Sequence, residues 1–183
     1  EAYAQALAKN EPFTDILGPA YMELGSKWKQ TSLGQFFTPQ NIAVMMASMC
    51  GNATVVPGGL TRVLDPACGS GCMLLSYMTV IHQMGRAGEL SEFMFVGVDI
   101  DPVCADMTAV QVIANCNMHQ LEVGELIVVR GDSLQPWQAW QKVVHATAKG
   151  RDVTADPNAP AFREAVTQSA TAQDQMSLFG QAA

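Results

Sequence analysis

Val63-Leu64-Asp65-Pro66-Ala67-Cys68-Gly69-Ser70-Gly71 is the stretch on which the fold turns. Thr61 to Asp65 reads as a short apolar strand, Cys68 to Gly71 as a glycine-rich turn, and about Cys72 to Met84 as a long apolar helix. The pattern repeats downstream. Phe93 to Asp99 (FMFVGVD) is a second buried strand, Pro102 opens a helix ending near Asn117, and Leu126 to Arg130 (LIVVR) is a third strand. Strands alternating with helices imply an α/β fold with a doubly wound parallel sheet. Upstream, Pro39 at a first helical turn opens a run through Ile42, Val44, Met45, Met46 and Met49 that Gly51 ends. Before that, Phe13, Ile16, Leu17, Ala20, Tyr21 and Leu24 recur three and four apart, as one helical face between Glu1 and about Lys29 requires, with Asp15 and Gly25 near its ends.

Length and composition agree with one such domain. The 183 residues are enough for one α/β core and short for two; 49% are apolar and 15% charged, which suits a globular protein. Residues 1–30 are expected as an N-terminal helical segment and 31–150 as the domain proper. Past Trp140 the apolar periodicity weakens, and from Arg151 the composition shifts to Ala, Gln, Asp, Thr and Pro. Residues 151–183 are therefore expected to be a flexible tail with at most one short helix around Ala161 to Thr167. No internal repeat is found. No apolar run reaches the roughly 18 residues of a membrane span and no basic leader precedes one, so a soluble cytoplasmic protein is the expectation. Glu rather than Met stands first, as in a chain trimmed at its start.

The five cysteines match no zinc spacing and read as reduced, small, mostly buried residues of a cytosolic protein. The net charge of −7, with only ten Lys and Arg and no cluster of them, bears on function. A protein that grips DNA by itself displays a basic surface against the phosphates. If this chain meets DNA, a partner or a small local patch supplies the grip.

In sheets of this build, ligands bind where the strands end at their carboxyl side. Gly69 and Gly71 let the backbone turn sharply and approach a ligand closely. Their spacing lacks the third glycine of the dinucleotide fingerprint G-x-G-x-x-G, so a pyrophosphate is disfavoured; alone, the turn is ordinary strand-to-helix punctuation. The second strand ends in Gly97-Val98-Asp99-Ile100-Asp101. Asp99 can accept hydrogen bonds from both ribose hydroxyls, and Ile100 can cover one face of an adenine. The competing role for Asp99, capping the helix that begins at Pro102, fits Asp101 better. After the third strand comes Gly131-Asp132-Ser133-Leu134, where Asp132 is either a turn residue or an acceptor for an adenine amino group. Three such strand ends in series favour a nucleoside site.

These motifs, DPACGSG, GVDID and GDSL, preceded by Gly34-Gln35-Phe36-Phe37-Thr38-Pro39, resemble the cofactor motifs of N6-adenine DNA methyltransferases, especially modification subunits of type I restriction systems. Asp15-Ile16-Leu17-Gly18 with Tyr21 also resembles the helix preceding GQFFTP in that group, so the resemblance covers roughly Phe13 to Trp137. It implies a Rossmann-like S-adenosylmethionine-dependent methyltransferase fold that binds S-adenosylmethionine. It further implies that Phe36, Phe37, Thr38 and Pro39 pack around the methionine part, that Asp65, Ala67, Gly69 and Gly71 line it, that Asp99 holds the ribose, and that Asp132 and Ser133 flank the adenine. Without the resemblance, Phe36 and Phe37 read as plain core residues.

One part of the pattern is missing. Such enzymes present Asn or Asp, then Pro-Pro, then Tyr or Phe, which together accept the target amino group's hydrogen bonds and stack on the flipped base. No two of the nine prolines here are adjacent, and Asp156-Pro157-Asn158-Ala159-Pro160 is the nearest approach. Two functions remain open: a methyltransferase component not catalytic by itself, and a non-enzymatic regulator, decoy or scaffold on the same fold.

Other residues offer no rival chemistry. His82, His119 and His145 fall in no ligand or base pattern and read as surface or helix residues; the eleven methionines read as core filler. Trp137 and Trp140 suit burial against the sheet edge better than an exposed stacking patch. At the far end, Gln175-Met176-Ser177-Leu178-Phe179 resembles the short peptide by which bacterial replication and repair proteins dock to the sliding clamp through residues placed like Gln175, Leu178 and Phe179. A bland disordered end or a terminal helix is the alternative.

Overall fold

The computed structural model describes residues 1–24, 35–50, 55, 59–136 and 139–148. Among the described residues, five α-helices precede or separate the strands: α1 (Ala2–Lys9), α2 (Leu17–Leu24), α3 (Gln40–Cys50), α4 (Cys72–Gln83) and α5 (Pro102–His119). The strands are β1 (Thr61–Asp65), β2 (Phe93–Asp99), β3 (Glu125–Arg130) and β4 (Gln141–Thr147), hydrogen-bonded in the order β1-β2-β3-β4. The first three are parallel, with Val63 opposite Phe95 and Phe95 opposite Leu126. The mixed α/β fold with its mostly parallel sheet is thus the one the alternating pattern implies.

Because the order advances in one direction, right-handed crossovers through α4 and α5 put both helices on the same face of the sheet. There Phe93, Phe95, Leu126 and Val128 meet Leu74, Leu75, Met78 and Ile81 of α4 and Ala105, Ala109 and Val112 of α5. Helix α4 buries every residue from Leu74 to Ile81, so it is enclosed on all sides, by the sheet on one and by α3 on another. Tyr77 meets Phe93 and Phe95 edge-on, at centroid distances of 6.0 and 6.3 Å. The opposite face gathers Met94, Val96, Val98, Ile127 and Val129, with Leu60 and Trp140 against them.

Three expectations need correction. The N-terminal helix expected with its ends near Asp15 and Gly25 is α2, which begins at Leu17, but Phe13 is not on its face: α1 ends at Lys9 and Phe13 lies between the two helices at φ 66°. Pro12 already disfavours a continuous helix, since it removes an amide donor and pushes its predecessor out of the helical region. The left-handed backbone at Phe13 costs about 1–3 kcal/mol. Full burial of its ring and a 2.7 Å hydrogen bond from its amide to Asn115 Oδ1 offset that cost. Second, the chain continues past Trp140 into β4, antiparallel to β3 and offset by an irregularity between Val128 and Val129. Its polar, half-exposed sequence carries little strand signal; pairing to β3 holds it. Third, the methionines are only partly core. Met78, Met94 and Met107 are buried, whereas Met45, Met46 and Met49 lie on the outer side of α3.

Candidate functional site

The glycine turn after β1 is pinned to β2 by Cys68, whose amide donates to the Val98 carbonyl at 2.9 Å. Gly69 and Gly71 have φ of +55° and +90°, the left-handed region that a side chain resists, and Gly71 starts α4. A β-carbon on Gly69 would lie 3.2 Å from Phe37 Cε1, so the ring rests directly on the turn. Asp99, at the end of β2, accepts from the Gly69 amide through Oδ2 at 2.8 Å and from the Asp101 amide through Oδ1 at 2.9 Å. Its carboxylate thereby ties the two strand ends together. Asp101 accepts from the Val103 amide at 2.9 Å and caps α5. The third strand end joins through the Gly131 amide, which donates to the Asp99 carbonyl at 2.8 Å. Beyond it Asp132 accepts from the Leu134 amide in a turn, and Trp140 Nε1 donates to the Asp132 carbonyl.

Between this turn and the Phe36-Phe37-Thr38 segment lies a cleft of about 100 Å³, lined by those three residues, Asp65, Ala67, Gly69 and their neighbours. Asp65 accepts from the Ala67 amide at 3.1 Å. Burial raises its pKa above the ordinary carboxylate value; the Ala67 hydrogen bond acts against that, and the negative charge of Asp99 adds to it. Burial likewise pushes the thiols of Cys68 and Cys72 up to about 12, so both are protonated and neither is poised as a nucleophile. Phe36 in the cleft wall and Ile100 just past the end of β2 are 75% and 68% exposed. Larger hollows, of about 480 Å³ beside α3 and β1 and about 240 Å³ between α5 and β4, have mostly apolar walls and lack a convergent set of polar groups.

The family model described as N-6 DNA Methylase matches residues 13–159. The chain belongs to the N-6 DNA methylase family. Among its relatives, the type I restriction enzyme MjaVIII methylase subunit of Methanocaldococcus jannaschii is 31% identical over 152 residues, 81% of this chain and 24% of that protein. The type I restriction enzyme MpnII methylase subunit of Mycoplasma pneumoniae is 30% identical over 131 residues, 70% of this chain and 22% of that protein. The chain thus spans about a quarter of the length of the curated relatives it matches. N-6 DNA methylases use S-adenosylmethionine as a family.

Of the residues that the methylase resemblance singles out, Phe36, Phe37, Thr38, Asp65, Ala67 and Gly69 share the cleft. Asp99 and Ile100 stand at the neighbouring strand end, and Asp132 and Ser133 follow β3. Pro39 is exposed and accepts from the Ile42 and Ala43 amides at the start of α3, while Gly71 is buried behind the turn against Thr108. Neither touches the cleft. Trp137, Gly25, Gly51, the Asp156 to Pro160 segment, the expected helix at Ala161 to Thr167, and Gln175, Leu178 and Phe179 lie outside the described residues. Among the described residues, no group of His, Cys, Asp and Glu could hold a metal ion, and no helix is long and apolar enough to cross a membrane.

Sequence reading missed the polar network beneath the methylase turn. Asp15 is buried; its Oδ2 accepts from Ser70 Oγ at 2.7 Å, and its Oδ1 from Gln111 Nε2 at 2.8 Å and from the Gly18 amide at 2.9 Å. Gln111 also donates to the Ser70 carbonyl at 2.8 Å and accepts from the Ile16 and Leu17 amides. Gly18 has no room for a β-carbon, which would meet the Asp15 carboxylate and Ser70 Oγ. Apart from Gly18, three positions from Asp15, these partners lie 41 to 96 positions apart, too far for any periodicity to register. His145, which fits no sequence pattern, stands 2.7 Å from the fully buried Glu125 across β3 and β4.

Proposed function

We propose that this chain is the S-adenosylmethionine-binding part of an adenine-N6 DNA methyltransferase, and that it does not transfer methyl groups by itself. One observation carries the reading: the Phe36-Phe37-Thr38 segment lies on the glycine turn, against the carboxylate of Asp65 and beside that of Asp99. The donor set suits the cofactor. Neither carboxylate has an ion-pair partner among the described residues, and Asp65 is held in a partly desolvated, like-charged setting that a cation would relieve. A ligand carrying an ammonium and a sulfonium brings that cation.

In this reading the cofactor supplies a methyl group already activated by its positive sulfur. Phe36, Phe37 and Thr38 pack around the methionine part, with Asp65, Ala67 and Gly69 on the other side, while Pro39 starts α3 and Gly71 supports the turn from behind. Asp99 keeps accepting the Gly69 and Asp101 amides and uses its remaining lone pairs for the ribose hydroxyls. Ile100 covers the adenine, and Asp132 and Ser133 flank it. The protein's share of the chemistry is to hold the donor in a fixed pose, because orientation of the reacting groups lowers the barrier.

Activation of the acceptor is a separate task. The adenine amino lone pair is delocalised into the ring, so acceptors must draw on its protons as it attacks. The 183 residues contain no adjacent prolines to build the usual acceptor loop, and their charge of −7 repels DNA. Partner polypeptides, as the word subunit in the relatives' names suggests, would supply DNA contact and target reading. A regulator, decoy or scaffold on the methylase fold is the second reading, favoured by the same two features.

Calorimetric titration with S-adenosylmethionine and S-adenosylhomocysteine tests the first reading. The chain is expected to bind, and Asp99→Ala to weaken binding by about 1–3 kcal/mol through loss of charged acceptors. No binding at millimolar cofactor would overturn it.

A further inference from the structure

The Phe36-Phe37-Thr38 segment is held down by groups that no sequence motif reading assigns. Phe37 has two close neighbours: Gly69, toward which its Cδ1–Cε1 edge lies, and Tyr21 of α2, whose ring stacks on it at a centroid distance of 5.4 Å and an interplanar angle of 20°. The Tyr21 hydroxyl donates to Gln35 Oε1 at 3.2 Å. Gln35 Nε2 in turn donates to Asp101 Oδ2 at 2.8 Å. Asp101 is buried and uses its other oxygen, Oδ1, to cap α5, so Oδ2 is a fixed anchor. A continuous chain of contacts therefore runs from α2 through Gln35 to the amino end of α5, and it crosses directly over the cleft-lining ring.

We propose that Tyr21 and Gln35 are positioning residues that strap the Phe36-Phe37-Thr38 segment onto the glycine turn, and that the Gln35–Asp101 hydrogen bond sets the affinity for the cofactor. The inference rests on the S-adenosylmethionine reading above and adds to it a determinant outside the cleft. Neither residue lines the cleft: Tyr21 reaches it through the Phe37 ring and Gln35 through its chain neighbour Phe36. The strap orders the segment before the ligand arrives, so binding need not supply that ordering. A hydrogen bond from an amide to a charged acceptor is worth more than a neutral one, which makes the Gln35 link the stronger arm.

The test is an exchange of the two partners in the 183-residue chain. Gln35→Glu sets a carboxylate against Asp101 and should weaken S-adenosylhomocysteine binding about tenfold, the scale of one charge-assisted hydrogen bond. Asp101→Asn still offers an oxygen to cap α5, and in the double variant its amide can donate to the new carboxylate. The double variant should therefore recover most of the lost affinity. The thermal midpoint without ligand should stay close to that of the unmodified chain in all three variants. Affinity unchanged in Gln35→Glu overturns the strap while leaving the cofactor reading intact. So does a loss that tracks the thermal midpoint and is not recovered in the double variant. Absence of binding by the unmodified chain overturns the cofactor reading and the strap with it.

Discussion

Replacing Gln111 by Leu should destabilise the protein by about 4 kcal/mol, although the two side chains are similar in size. Gln111 is fully buried in α5 and fills all its bonding capacity. Its oxygen accepts from Ile16 and Leu17 at 2.9 and 3.0 Å, and its nitrogen donates to Asp15 Oδ1 and the Ser70 carbonyl, each at 2.8 Å. Leucine leaves four partners behind. The Ile16 and Leu17 amides are only part-buried and can turn to water at little cost. The Asp15 carboxylate and the Ser70 carbonyl sit in the buried part of the network, where an unmet hydrogen bond costs about 1–3 kcal/mol each. The pair amounts to about 2–6 kcal/mol, and the extra apolar burial of leucine returns only a small part. For a domain of this size the central value lowers the melting temperature by about 10 °C. Urea and thermal unfolding followed by two probes measure it, with hydrogen exchange at the Gly69 and Gly71 amides as a local readout. A loss below about 1 kcal/mol, with unchanged exchange at the turn, would mean that the network does not support the site.

Gly69→Ala places a methyl group against the Phe37 ring at a left-handed backbone position. It should cost about 1–3 kcal/mol of stability and should weaken cofactor binding, measured by calorimetry, more than the stability loss alone explains. Asp65→Asn keeps the hydrogen bond from Ala67 and removes a charge whose pKa the fold raises. The stability that the raised pKa contributes is present at low pH and is lost as the pH rises through it, so the ionised form opposes folding at neutral pH. The Asn variant, unfolded without ligand, should be more stable than the parent at neutral pH, and the difference should vanish in acid; an equal difference at both pH values would refute the assignment. Incubation of the chain with tritiated S-adenosylmethionine and mixed-sequence DNA should give background incorporation. Robust incorporation, abolished by Asp65→Ala, would show that the chain builds an acceptor loop without adjacent prolines.

Elements whose apolar residues are consecutive in the chain are legible in the sequence alone. β1 and β2 fall where the sequence places them, at Thr61–Asp65 and Phe93–Asp99: β2, buried on both faces, is an unbroken apolar run, and the half-exposed β1 is marked by the glycine turn that follows it. The helix after the glycine turn is legible for the same reason, and the glycine turn itself is legible because its residues are adjacent in sequence. Only the tertiary structure decided the rest. β4 depends on β3 for its hydrogen bonds and has no apolar signature of its own. The break at Phe13 reflects a ring that finds its place only when α5 offers Asn115 to the amide beside it. The meeting of Asp15 with Ser70 and Gln111, and of Tyr21, Gln35 and Asp101 over the cleft, joins residues separated by tens of positions. Periodicity records which face of an element is apolar. It carries no information on which distant side chain will satisfy a buried polar group, and that choice is made only when the elements pack.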